Sequence, residues 1–220
     1  NKARACESSG FNVLNSKMAQ NGLLTQPHIC FYTTKKGSKT MEENRTKEFE
    51  ETFHKDLAAY LEAHDLIDKH FPEAPDIEAL WATIGESYLP DALREWNHYP
   101  TVALGWVMYI GMAIAYYWDE DWERYSHVPD LYKMMILNTD FDHLDDYIRR
   151  QVLHLSPDQG EKLQQTVGEC AARTYNTISH LHVEPGTPDA FRVFIAVIHE
   201  MYLMGAALEL KSLGYHMEKC

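Results

Sequence analysis

From Pro100 to Trp118 the chain reads PTVALGWVMYIGMAIAYYW, nineteen residues without a charge. Wound into a helix, this run is apolar on every face, so it lacks the one-sided stripe of a surface helix. It belongs in the middle of a helical assembly or in a bilayer. Eighteen residues at the helical rise reach about 27 Å, close to the thickness of a hydrocarbon core. Three features favour a protein core. The run meets Asp119, Glu120 and Asp121 and has no Lys/Arg cluster beside it to fix an orientation. A second apolar stretch, 188–213, carries Arg192, His199, Glu200 and Glu209, which are costly in hydrocarbon. The remaining helical segments have one apolar face each and need a protein partner to cover it. The expectation is therefore that 100–126 and 188–213 form a buried central pair, with Gly105, Gly111 and Ala115 as points of close helix contact.

The surrounding segments are read from spacing and stop signals. Thr46 to Phe71 places Phe49, Phe53, Leu57, Tyr60, His64, Ile67 and Phe71 three or four apart, with Pro72 and Pro75 closing the helix. Asp76 to Tyr88 gives a second helix, Pro90 breaks it, and two more turns reach Trp96. A short helix follows Pro129 through Leu137. Phe141 to Leu155 gives another, with Leu144, Ile148, Val152 and Leu155 inward and Asp142, Asp145, Asp146, Arg149 and Arg150 largely outward. Ser156-Pro157-Asp158 and Thr187-Pro188-Asp189 are matching start signals, each a capping hydroxyl, a first-turn proline and a first-turn acid. Gly214 stands where the last helix stops. No segment after Met41 alternates like a strand over a useful length. The fold class expected is all-α, a single-domain bundle of about six or seven helices around the central pair.

Residues 1–40 differ in character from the rest. They hold six Lys or Arg against one acid in a chain whose formal net charge is −13. They also lack helical apolar spacing. The sequence divides into a disordered or non-native lead, 1–40, and a helical domain, 41–220, with HICFYTT at 28–34 as one candidate edge strand. The acidic balance argues against nucleic acid as a partner, because phosphate neutralisation needs a basic face. Cys6, Cys30, Cys170 and Cys220 show neither a CxxC pair nor regular spacing, so no disulfide framework or structural zinc site is expected, and a reducing, cytoplasmic setting is the simpler reading.

Three chemical leads remain. Glu51…His54 and Glu95…His98 have the Glu-x-x-His spacing of carboxylate di-metal sites in helical bundles. Nineteen Glu and twelve His in 220 residues produce such pairs by chance, so no metal or other cofactor is assigned. Glu120…Glu123 and Asp142…Asp145 loosely resemble the magnesium-binding pattern of all-α nucleotide pyrophosphohydrolases. Asp stands where Glu is usual there and no third acidic pair lies upstream, which leaves a metal-dependent hydrolase as a minor alternative and a solvated acidic face as the simpler account.

The third lead is polar residues inside apolar helices. Glu200 has Val193, Val197, Met204 and Ala207 as same-face neighbours, making it the one costly buried charge expected against the central helix, with Arg192 or Arg173 as counter-ion. His199 lies beside it, His64 occupies a seam position, and Tyr109 and Tyr202 bring hydroxyls inward. Together Glu200, His199, His64, Tyr109 and Tyr202 are the candidate ligand-binding residues. Two functions are consistent with this: a non-enzymatic binding or scaffold module that self-associates or takes a protein partner, and a small-molecule binder or enzyme using that interior site. Neither needs a membrane.

Overall fold

The computed structural model describes residues 36–72 and 74–215. Among them are seven α-helices and no strand: α1 (Lys36–Ala63), α2 (Pro75–Trp96), α3 (Pro100–Tyr125), α4 (Leu131–Asn138), α5 (Leu144–Tyr147), α6 (Pro157–His180) and α7 (Pro188–Ser212). A 3-10 turn, Phe141–His143, leads into α5, and a π-helical turn, Ile148–Val152, leads out of it. The protein is an all-α bundle. Its helix starts are locally encoded. Ser156 and Gln159 form a reciprocal capping box on α6. Thr187 Oγ1 accepts from the Ala190 N–H at 3.2 Å, and Asp130 Oδ1 accepts from the Lys133 N–H at 3.0 Å.

The centre is the pair α3 and α7. They run side by side in the same direction, with Trp96 and Phe194 in ring contact near their starts and the Tyr215 hydroxyl donating to Asp119 near their ends. They touch backbone to backbone. A Cβ on Gly111 would lie 2.0 Å from the Tyr202 carbonyl oxygen, and one on Gly205 would lie 2.0 Å from that of Met108. Each helix thus supplies the glycine that admits the other's main chain. Both helices are long and apolar enough to cross a membrane, and 72% of the most apolar window of α3 and 83% of that of α7 are buried inside the protein.

The other helices cover this pair. α1 lies along α7, in ion-pair contact from Arg45–Asp189 to Asp65–Lys211. α6 runs antiparallel to α1, tied by Tyr60–Glu169 and Arg173–Asp56, and sets Val167 Cγ1 3.2 Å from the position of a Cβ on Gly105. α2 folds back on α3, where the Tyr88 hydroxyl donates to the Ala103 carbonyl, and meets α7, where the Tyr202 hydroxyl donates to the Ile77 carbonyl at 2.8 Å.

Five features differ from the sequence expectation. α1 starts at Lys36, so residues 36–40 are helical; the rest of the expected lead and its candidate strand lie outside the described residues. α1 also stops at Ala63, because Asp65 takes φ 57° and turns the chain. α2 continues through Pro90, since the buried Tyr88, Leu89, Ala92 and Leu93 hold its second half in place. Phe141–Leu155 is not one α-helix. Arg149 Nη2 donates to Asp145 at 2.7 Å and to Asp146 at 2.8 Å, and Leu153 N–H reaches back five residues to the Ile148 carbonyl at 2.9 Å. This turn draws Asp145 and Arg149 inside, against the expectation that both point outward. α3 breaks at Asp121, whose carboxylate accepts from the Arg124 N–H at 3.1 Å and caps one last turn.

Candidate functional site

Glu200 sits midway along α7 and is 5% exposed. Its Oε2 accepts from His54 Nδ1 of α1 at 3.0 Å. A carboxylate only accepts, so Nδ1 carries the proton and Nε2 is the free ring atom. The hydrogen bond to Glu200 raises the His54 pKa above its ordinary value; burial opposes this, while the charges of Glu200 and Glu62 add to it. Arg192 and Arg173, the expected counter-ions, make other pairs: Arg192 with Asp189 at 2.7 Å and Arg173 with Asp56 at 3.2 Å. Glu200 is one of several buried charged groups, with Asp145, Arg149 and Glu209.

His199 makes the reciprocal bond, Nδ1 to Glu50 Oε1 of α1 at 3.1 Å. Its ring stacks on Trp81 at 5.0 Å, and its Nε2 is buried without a hydrogen-bond partner. Trp81 also contacts Tyr202, whose ring centroid is 5.2 Å away. The helices α1 and α7 are thus joined by two crossed Glu–His pairs, and Trp81 and Tyr202 pack beside the second.

The expected set divides. Glu200, His199 and Tyr202 lie together. Tyr109 is buried elsewhere, its hydroxyl without a partner and its ring 5.9 Å from the Arg149 guanidinium carbon. Burial pushes the Tyr109 phenol up. His64 is exposed just past the end of α1, bonded through Nδ1 to the Tyr60 carbonyl at 2.8 Å. Its seam position existed only if the helix continued to Phe71.

Sequence reasoning missed His54 and Glu50 as partners. The signal was present in the pairing of Glu51 with His54, but the residue one position earlier on α1 is the one that faces α7. Glu51 itself is exposed. Among the described residues no three His, Cys, Asp or Glu side chains are grouped so as to hold a metal ion.

His54 also lines a cleft of about 490 Å³ between α1, residues 71, 72 and 74, the start of α2 and the second half of α7. Among the described residues nine of the eleven that line it are apolar, among them Phe71, Ile77, Leu203, Ala207 and Leu210; the polar ones are His54 and Glu78. Phe71 packs edge-on against the His54 ring, with centroids 4.7 Å apart. The arrangement offers an apolar wall and one imidazole whose orientation is fixed from behind by a buried carboxylate. Among the described residues no serine, threonine or cysteine lines the cleft. No family model, curated protein or solved structure matches this chain.

Proposed function

We propose that this protein binds a small, mainly apolar molecule in the cleft beside His54, as a soluble, cytoplasmic helical protein. The observation that carries the proposal is a concave apolar surface with one oriented polar side chain on its wall. That combination is the usual make-up of a small-molecule site: an apolar lining with few placed polar groups, in a volume of roughly 300–1,000 Å³. Glu200 supports it by fixing the imidazole, at the cost of burying a carboxylate in an otherwise apolar helix. Calorimetric titration with straight-chain alcohols tests it. Saturable binding of one equivalent is expected, weakened tenfold or more by Leu203→Trp, which fills the cleft from its partly exposed side. No saturable binding, or binding that ignores Leu203→Trp, overturns the proposal.

A self-associating scaffold is the second reading, supported by large apolar side chains at the surface. Leu137 is 87% exposed and Tyr99 64%. They stand on different elements, as do Tyr175 and Tyr215, and single exposed apolar residues are common on monomers. Light scattering that gives a monomer at tens of micromolar removes this reading; a dimer that Leu137→Glu dissociates would favour it.

A further inference from the structure

The polar inventory of the cleft indicates the head group its ligand carries, an inference that rests on the small-molecule reading above. His54 commits Nδ1–H to Glu200 Oε2 at 3.0 Å, and its ring lies edge-on against Phe71. The remaining ring atom, Nε2, makes no hydrogen bond among the described residues, and the side chain is 37% exposed on the cleft wall. A ring held by a carboxylate on one side takes up a second proton more readily, and Nε2 then presents an N–H donor bearing positive charge. Glu78, the other polar lining residue, offers only acceptors. The other described lining residues are apolar. Among the described side chains that line the cleft, His54 is the one that can donate to an acceptor head group, and a charged acceptor makes the stronger bond there. A cationic head group would go to Glu78 instead.

We infer that the ligand is a monocarboxylate with an apolar body, its carboxylate bound to Nε2 of His54 and its body against Phe71, Leu203, Ala207 and Leu210. Among the described residues, the charged groups that act on His54 are Glu200 on α7 and Glu62 on α1, and Glu78 on α2 lines the same cleft; all are carboxylates. The first two favour the imidazolium, so carboxylate binding belongs to the acidic and neutral range and weakens as His54 loses its proton.

The test titrates octanoate, 1-octanol and octylamine, below micelle-forming concentrations, into the full chain at pH 6 and pH 9. Octanoate is expected to bind at least tenfold tighter than 1-octanol at pH 6, and to lose that advantage at pH 9. His54→Gln should remove the advantage at both pH values while leaving 1-octanol binding within twofold. Glu200→Gln, a second and independent variant, should move the loss of the advantage to lower pH, because it withdraws the carboxylate that holds the proton on His54. Octanol or octylamine binding as tightly as octanoate at pH 6, or octanoate binding at pH 6 that ignores both variants, overturns the carboxylate and leaves the cleft standing. Failure of all three probes to bind in a manner sensitive to Leu203→Trp overturns the small-molecule reading as well.

Discussion

A carboxylate that is 5% exposed persists in an apolar helix only with a partner, and Glu200 takes the His54 imidazole as that partner. The folded-state pKa of His54 is raised, so its contribution to stability is full below the unfolded value near 6.5 and is lost as pH rises through the folded value. Glu200→Gln is therefore expected to cost about 1–2 kcal/mol near pH 5.5, the worth of a charge-assisted hydrogen bond discounted for the solvent around His54, and close to nothing near pH 9. Chemical denaturation at the two pH values checks this, and the NMR titration midpoint of His54 should fall toward 6.5 in the variant. A cost independent of pH would show that the pair does not carry the charge assigned to it. How much of this pair was legible differs between its two members. Glu200 declares itself, since its neighbours three and four positions away are apolar. His54 does not, because its partner is 146 residues distant in sequence and the facing of α1 against α7 is set by packing. The arginines expected as counter-ions were outcompeted by nearer carboxylates, Asp189 three residues from Arg192 and Asp56 across the α1–α6 contact.

At the level of elements, the glycines of α3 and α7 are the positions least open to change. Gly111→Ala and Gly205→Ala each place a methyl group 2.0 Å from a carbonyl oxygen of the facing helix, and a main chain cannot rotate aside as a side chain does. Each is expected to cost about 3 kcal/mol or more, at or beyond the upper end of ordinary overpacking. Gly168 provides the contrast. It lies on the exposed face of α6 with nothing within 4 Å of an added Cβ, so Gly168→Ala should stabilise by roughly 0.5–1 kcal/mol through helix propensity alone. Denaturant midpoints of the three variants decide the point; similar costs for all three would mean that the α3–α7 contact is looser than its geometry. Helix starts and the central pair were legible because capping residues, prolines and uncharged runs act locally. The ends of α1 and the path from Phe141 to Leu155 were not. The first depends on Asp65 accepting a left-handed conformation. The second depends on Arg149 choosing both Asp145 and Asp146, a three-dimensional bargain that helical spacing does not express.

For the whole molecule, the arrangement of titrating groups sets a pH profile. Glu209, on α7, is 7% exposed, and burial pushes its pKa up to about 7, with Asp119 adding to the shift. A carboxyl whose folded value exceeds its unfolded value holds more protons in the folded state between the two, so stability falls as pH rises from about 4.5 to 7. His54 works in the same direction over a slightly higher range, since its bond to Glu200 is strongest when the ring is charged. On the acid side the sign reverses. The Tyr60 hydroxyl holds Glu169 below the usual carboxylate range; for Asp130 burial opposes, but bonds from Ser87 and Lys133 outweigh it and hold that carboxyl low as well. Both contributions are lost as pH falls through these depressed values. The protein is therefore expected to be most stable near pH 5 and to weaken steadily toward pH 8, although its formal charge of −13 alone gives no reason for an acid optimum that narrow. Glu209→Gln isolates the largest part of that slope. It keeps the shape of the side chain and removes the ionisation, so it should leave stability at pH 5 nearly unchanged. At pH 8 it should raise stability by up to about 3 kcal/mol, the free energy of a shift of that size, or roughly 6–12 °C in melting temperature for a chain of this length. The slope that remains in Glu209→Gln belongs to the His54–Glu200 pair and to His143, which its bond to Asp140 also holds above its ordinary value, and should shrink on adding Glu200→Gln. A melting temperature that rises equally at pH 5 and pH 8 would place the cost of Glu209 in its packing, and a profile unchanged by either substitution would assign the pH dependence to other groups altogether.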